Sequence, residues 1–216
     1  MNRCLALRLC PRRVDFGVCP KVLLAALRRF PCLLLVLTAA CLLPKDVLGR
    51  GLPVTEGILN FGKVNDGLYR GAQPDGDGLE HLKKLGVKLI INLREPGDVW
   101  KEESAAALAC GIVYTNFPMG GFARPKDDVV RQILALLGSS TGPVFVHCQH
   151  GCDRTGTIVA CYRIQHDHWS CDDALREAKQ YGISRWEYLM RRYVREFARS
   201  LVPTSSKPDT RQARAN

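Results

Sequence analysis

Cys148 and Arg154 stand six positions apart in the stretch VFVHCQHGCDRTG, which runs from Val144 to Gly156. A cysteine attacks only as its thiolate, and an arginine presents a planar fork of donors that matches two phosphate oxygens. Together these residue types suit displacement at an anionic centre. The spacing alone says little, because ten cysteines and 21 arginines in 216 residues give about one such pair by chance. Context raises it. Val144 to Val146 read as a short buried strand and Thr155 onward as a helix, so the backbone between them must curl with several N–H groups pointing inward. That is an anion nest at a helix N-terminus, and its field favours a thiolate over a thiol. Gly151 permits the tight path, and Arg154 can grip two oxygens and balance charge gathering on phosphorus. Thr155 can offer its hydroxyl to the Cys148 sulfur, and His147 is placed to fix the loop from outside. Gln149, His150, Gly151, Cys152, Asp153 and Thr155 are the expected substrate-binding residues. The plain alternative is a buried, structural Cys148.

The elements that must position this loop follow from periodicity. GLYRG (Gly67 to Gly71), VKLIINL (Val87 to Leu93), IVYTNFP (Ile112 to Pro118) and PVFVH (Pro143 to His147) read as strands. Helices lie between them. Asp77 with Glu80 opens the first, Leu79, Leu82 and Leu85 form its buried stripe, and Gly86 closes it. The second is expected from about Asp98 to Cys110, and the third after Pro125, with Val129, Val130, Ile133, Leu136 and Leu137 inward. Beyond the loop the pattern is helical throughout: Thr155 to about Asp167, then Ser170 to Tyr181 with Asp173 completing a capping box, then Ser184 to Arg199 with Glu187 in the same role. In that last helix Trp186, Leu189, Met190, Tyr193 and Phe197 are expected on one core-facing stripe beneath a solvated basic face. The fold class is α/β, with a mainly parallel central sheet flanked by helices.

The formal charge of +10 would suggest nucleic acid as a partner, but residues 1–50 hold nine Lys/Arg against two Asp/Glu. Most of the excess is therefore N-terminal, and a general nucleic-acid binder is disfavoured. Arg28 and Arg29 precede the uncharged PCLLLVLTAACLL at residues 31–43, too short to cross a bilayer comfortably and suited to a signal-peptide core. Around it, LTAAC (Leu37 to Cys41) resembles the lipobox of bacterial lipoproteins, with Thr38 where that pattern prefers leucine. Membrane attachment or export through this segment, with Cys41 as a possible lipidation site, is the expectation; an uncleaved anchor is the alternative. Three segments follow: a leader or membrane anchor at 1–50, a catalytic domain at 51–202, and a polar, disordered tail at 203–216. Five cysteines fall in the domain (Cys110, Cys148, Cys152, Cys161, Cys171), without paired zinc-ribbon spacing, and no metal site is expected.

HCQHGCDRTG resembles the Cys-x5-Arg loop of the cysteine-dependent protein tyrosine and dual-specificity phosphatases. The wider run from LYRGAQP at Leu68 through INLREPG at Ile91 to EAKQYG at Glu177 resembles their compact, bacterial-type members, over roughly residues 60–200. The resemblance implies a tyrosine phosphatase-like fold and hydrolysis of phosphomonoesters, phosphotyrosine-type by default, through a phosphocysteine on Cys148. It implies no cofactor and no metal, a phosphorylated protein or small phosphorylated molecule as substrate, and a monomer. Such enzymes carry an aspartate well upstream of the nucleophile as general acid. Here PMGGFARPKDD (Pro118 to Asp128) reaches Asp127 and Asp128 only at the start of a helix, where capping is a sufficient role. Asp153, inside the loop, is the competing acid; loops ending in Asp-Arg-Thr also resemble those of myotubularin- and Sac-type phosphoinositide phosphatases. Its alternative is to brace a neighbouring helix. Cys152 could trap an oxidised nucleophile, or simply pack as a small apolar residue. Arg94 could reach a second anion, or pair with Glu95 or Asp98. Phosphoinositides, inositol polyphosphates and RNA 5′-phosphates are further substrates the loop would admit. A silent, membrane-tethered phospho-ligand module and a rhodanese-like sulfur transferase are the readings from other classes.

Overall fold

The computed structural model describes residues 51–202; the expected leader at 1–50 and tail at 203–216 lie outside the described residues. Five strands form one sheet: β1 (Gly62–Asn65), β2 (Leu68–Gly71), β3 (Leu89–Asn92), β4 (Val113–Asn116) and β5 (Val144–His147), in the order β1-β2-β5-β3-β4. All neighbouring strands run parallel except β1, which joins β2 antiparallel at one edge. Six helices complete it: α1 (Gly76–Lys84), α2 (Glu103–Ala109), α3 (Asp127–Ser139), α4 (Asp153–Gln165), α5 (Cys171–Gln180) and α6 (Tyr188–Ser200). This is the expected α/β class, with a mainly parallel sheet between helical layers.

Side chains of β5 and β3 alternate between two cores, as the period of an extended chain requires. Val144 and Val146 with Leu89 and Ile91 face Val130 and Ile133 of α3, Ile158 of α4 and Tyr193 of α6. Phe145 and Ile90 face the opposite way, onto Leu79 and Leu82 of α1 and Ala107 of α2. Because both faces are covered, the central strands read as unbroken apolar runs rather than alternating ones. Helix α4 is buried on nearly every side, from Arg154 through Tyr162, and is covered in turn by α5 and α6. Its N-terminus is thereby fixed at the end of β5.

Several boundaries differ from the sequence expectation. The N-cap of α1 is Asp75, whose carboxylate accepts from Gly78 N–H at 2.9 Å, so Asp77 lies inside the first turn instead of capping it. Helix α2 begins at Glu103, not near Asp98, because Asp98 is held in a turn by two arginines. Helix α6 begins at Tyr188; Glu187 stands at its N-cap but its side chain does not bond the first-turn amides, and the Ser184 hydroxyl accepts from Trp186 N–H at 3.1 Å. Trp186 therefore leaves the expected core stripe and is 74% exposed, and Leu189 is exposed as well. Ser170 caps α5 as expected, its hydroxyl accepting from Asp173 N–H at 3.1 Å, while the Asp173 carboxylate accepts from that hydroxyl at 2.6 Å.

Candidate active site

The VFVHCQHGCDRTG stretch places Cys148 directly after β5 and Arg154 in the first turn of α4, at the carboxyl end of the parallel strands where open α/β sheets take their ligands. The loop is held by its carbonyls. Gln149 O accepts from Gln73 N–H at 3.3 Å, His150 O from the Asn60 amide at 3.3 Å, and Gly151 O from the Arg70 guanidinium at 2.9 Å. The N–H of a trans peptide points opposite to its C=O. Pinning three successive carbonyls from outside therefore turns the N–H groups of His150, Gly151 and Cys152 toward the other side of the loop, the side that holds Cys148. Carbonyls held outward in this way are what the expected nest requires, and the residues that hold them lie upstream of it.

Gly151 has φ +68°, and a Cβ there would lie 2.5 Å from Gly71 C and 2.6 Å from Gly71 O, both main-chain atoms of β2. Only glycine lets the loop rest on that strand. The Thr155 hydroxyl is fully buried and has no hydrogen-bond partner among the described residues, which leaves it available to sulfur or to a bound anion. Arg154 is nearly buried, and its fork is loosely engaged: NH1 donates to Met119 O at 3.4 Å, and NH2 approaches Asp98 Oδ2 at 3.5 Å. Such long contacts give way readily to phosphate oxygens.

Behind the nucleophile position lies a buried pair. His147 Nε2 is 2.9 Å from Glu103 Oε1, and both side chains are wholly enclosed. The other Glu103 oxygen accepts from Asn92 at 2.9 Å and from the Tyr114 hydroxyl at 3.2 Å. Burial alone would raise the Glu103 carboxyl, but the His147 ring, with Gln73 and Tyr114, holds it below its ordinary value. Burial and the Glu103 charge push Tyr114 up to about 12. His147 Nδ1 lies 3.3 Å from Cys148 O, so this network reaches the backbone of the nucleophile itself.

A cleft of about 530 Å³ opens over Cys148, lined by Gln149, His150, Asp153 and Arg154 on the loop side. Its far walls are Gly121 and Phe122 from one segment and Ser184, Trp186 and Glu187 from another. Asp153 Oδ1 accepts from Ser184 N–H at 2.7 Å and so ties the start of α4 to the segment carrying Trp186. Asp127 stands elsewhere, exposed and paired with Arg124 at 3.3 Å; neither it nor Asp128 lines the cleft. Arg94 is engaged by Asp98 at 2.8 Å and Gln73 at 3.1 Å, so it makes one of the two expected ion pairs, but with its side chain largely enclosed and not at the surface. The buried Cys152 thiol donates to His150 O at 3.3 Å. Among the described residues no group of three His, Cys, Asp or Glu side chains converges as metal ligands would.

Sequence reasoning missed four contributors: Arg70, Asn60, Trp186 and Phe122. The first carried a usable signal, since a charged residue in the middle of an otherwise apolar strand needs a buried partner.

An amide-lined Cys-x5-Arg loop between the last parallel strand and a buried helix defines a cysteine-dependent phosphatase of the tyrosine/dual-specificity type. A family model described as a DSP-PTPase phosphatase fused to NAD+ kinase matches residues 58–197, and the chain belongs to that family. The chain is 32% identical over 151 residues to OCA1 of Mycosarcoma maydis, assigned by name to the tyrosine-protein phosphatases; the match covers 66% of this chain and 93% of that protein. It is 30% identical over 145 residues to the inositol diphosphatase DSP3 of Arabidopsis thaliana, covering 64% and 70% of the two. The crystal structure of TpbA from Pseudomonas aeruginosa superposes with a TM-score of 0.58 at 25% identity, covering 70% of this chain and 96% of that one.

Proposed function

We propose that this phosphatase hydrolyses phosphomonoesters with an aromatic leaving group, of the phosphotyrosine type, through a phosphocysteine on Cys148. One observation carries the substrate class: the composition of the cleft walls. Phe122 is 80% exposed and Trp186 74% exposed, and both line the same cleft as Cys148. Exposed aromatics opposite a nucleophile offer flat faces to a ring. Among the lining residues Arg154 is the one permanent cation, against the carboxyl groups of Asp153 and Glu187. Such a wall favours one phosphoryl group on an apolar carrier over a ring bearing many phosphates.

In this reading the phosphate seats on the amides of the loop, and Arg154 exchanges its long contacts for two phosphate oxygens. The Cys148 sulfur attacks phosphorus, the bond to the leaving oxygen breaks, and that oxygen needs a proton. We assign the donor to Asp153, which lines the cleft beside Arg154 and whose position is fixed by the Ser184 amide. Water then cleaves the phosphocysteine, with the same carboxylate as base. The leader supports export or membrane attachment, which fractionation with and without Cys41→Ala tests.

The likeness to an inositol diphosphatase favours a second reading, an inositol carrying a diphosphate group as substrate. A comparison of kcat/KM on a phosphotyrosine peptide and on an inositol diphosphate, in the parent and in Trp186→Ala, decides between them. The aryl reading expects the peptide to be preferred and the preference to shrink about three- to tenfold in the variant. Preference for the inositol diphosphate, unmoved by the change, overturns it.

A further inference from the structure

Arg70 lies in the middle of β2 and is fully buried. A guanidinium is rarely placed in a core without a carboxylate against it. Here its NH2 group donates to Gly151 O at 2.9 Å, and the Tyr181 ring centroid lies 3.8 Å from its central carbon. Nε and NH1 have no hydrogen-bond partner among the described residues. The strand gives it no choice of direction: Arg70 pairs in register with Val146 of β5, two residues before Cys148. The groups that face it are Tyr181 and Glu177, at and just before the end of α5, and Cys148 and Cys152 from the loop. Burial pulls the guanidinium down and those four groups offset part of the fall, which leaves it at about 10 and charged at neutral pH.

We propose that Arg70 is a positioning residue for the phosphate loop: it fixes the Gly151 carbonyl, so that Cys152 N–H faces the nest, and it supplies a counter-charge beneath Cys148. Arg70 is enclosed against the outer face of the loop that begins at Cys148, where its charge attracts negative charge held inside that loop. In this buried setting the attraction is far less screened than at the surface. Arg154 and Arg70 then have separate tasks. The first meets the substrate from the cleft, and the second stays behind the loop and never touches it. The same contact needs glycine at 151, where a Cβ would stand 2.5 Å from Gly71 C and keep the Gly151 carbonyl out of reach of Arg70. The proposal rests on Cys148 as the nucleophile, and its test must separate the two claims.

Two variants of the full chain serve, Arg70→Met and Arg70→Lys. The rate of Cys148 alkylation by iodoacetamide is followed by intact mass across about pH 5–8, and kcat and KM are measured on p-nitrophenyl phosphate. In Arg70→Met, alkylation at the acid end slows about tenfold and kcat falls about tenfold, while KM stays within about twofold. Arg70→Lys keeps the parent pH dependence of alkylation but loses several-fold in kcat, because an ammonium cannot hold the Gly151 carbonyl in the same place. A parent-like alkylation profile in Arg70→Met, with activity lost only in proportion to the unfolded fraction by near-ultraviolet circular dichroism, overturns the proposal. If Arg70→Met does not fold, Arg70→Lys decides alone, and an unchanged kcat overturns it. Alkylation is read without turnover, so a failure of the nucleophile assignment shows separately, as parent hydrolysis that survives Cys148→Ser.

Discussion

Replacing Gly151 by alanine tests the loop's construction at its tightest point. Two costs add. Its φ of +68° puts an alanine in the left-handed region, which costs about 1–2 kcal/mol. The new methyl would stand 2.5 Å from Gly71 C and 2.7 Å from Ala72 N, main-chain atoms that can yield only if β2 moves. Overpacking of that kind costs about 1–3 kcal/mol, so the total is about 2–5 kcal/mol. In a domain of this size each kcal/mol lowers Tm by roughly 2–4 °C, giving a fall of roughly 4–20 °C. Activity suffers more than stability, because pushing β2 away releases the Gly151 carbonyl from Arg70 and misaims the amides. A displacement on the order of 1 Å costs about 10²-fold in kcat/KM. Thermal melts by circular dichroism and turnover of p-nitrophenyl phosphate read both effects. The control is Gly138→Ala in α3, where a methyl meets nothing within 4 Å. It is expected to raise stability by about 0.5–1 kcal/mol and leave turnover alone. If Gly151→Ala melts and turns over like the control, the account of how the loop is held is wrong.

The Glu103–His147 pair makes a pH prediction. Glu103 is held below its ordinary 4.5 in the folded chain, so its stabilisation is complete above that value and is lost as pH falls through the depressed one. Glu103→Gln is expected to cost about 3–5 kcal/mol near neutrality and to flatten the urea midpoint below about pH 4.5, and equal acid slopes in the two proteins would refute this. Asp153→Asn separates proton donation from bracing. As the donor, Asp153 matters most when the leaving group is poor, so hydrolysis of an alkyl phosphate slows on the order of 10²-fold while p-nitrophenyl phosphate slows far less. A carboxylate that only holds Ser184 would slow both alike.

The sequence carried the sheet and the loop because these obey local rules. VFV and LII are apolar runs that only a strand covered on both faces can bury, and Cys148, Gly151 and Arg154 are constrained within seven residues of chain. Strand β1 escaped notice: GKVN is four residues long, partly exposed and paired only at one edge, with a register shift between Lys63 and Asn65. Trp186 was misplaced because its spacing to Met190 and Tyr193 fits a helical stripe, yet the Ser184 hydroxyl turns the backbone at Trp186 and delays the helix to Tyr188. Asn60 and Arg70 lie about eighty to ninety residues before the loop carbonyls they hold, contacts made by the crossovers of the sheet and invisible to any local pattern. Only the fold shows Asp153 lining the cleft and Asp127 outside it, since nothing in PMGGFARPKDD reveals that Asp127 pairs with Arg124.

The central claim is a covalent bond between the Cys148 sulfur and phosphorus. Acid quenching of the full chain during turnover of a phosphotyrosine peptide, followed by intact-mass and fragment analysis, tests it directly. The account predicts a single phosphoryl group per chain, located on Cys148, and absent from Cys148→Ala along with all hydrolysis. Turnover that persists in Cys148→Ala, or a phosphoryl group trapped on any other residue, would contradict it.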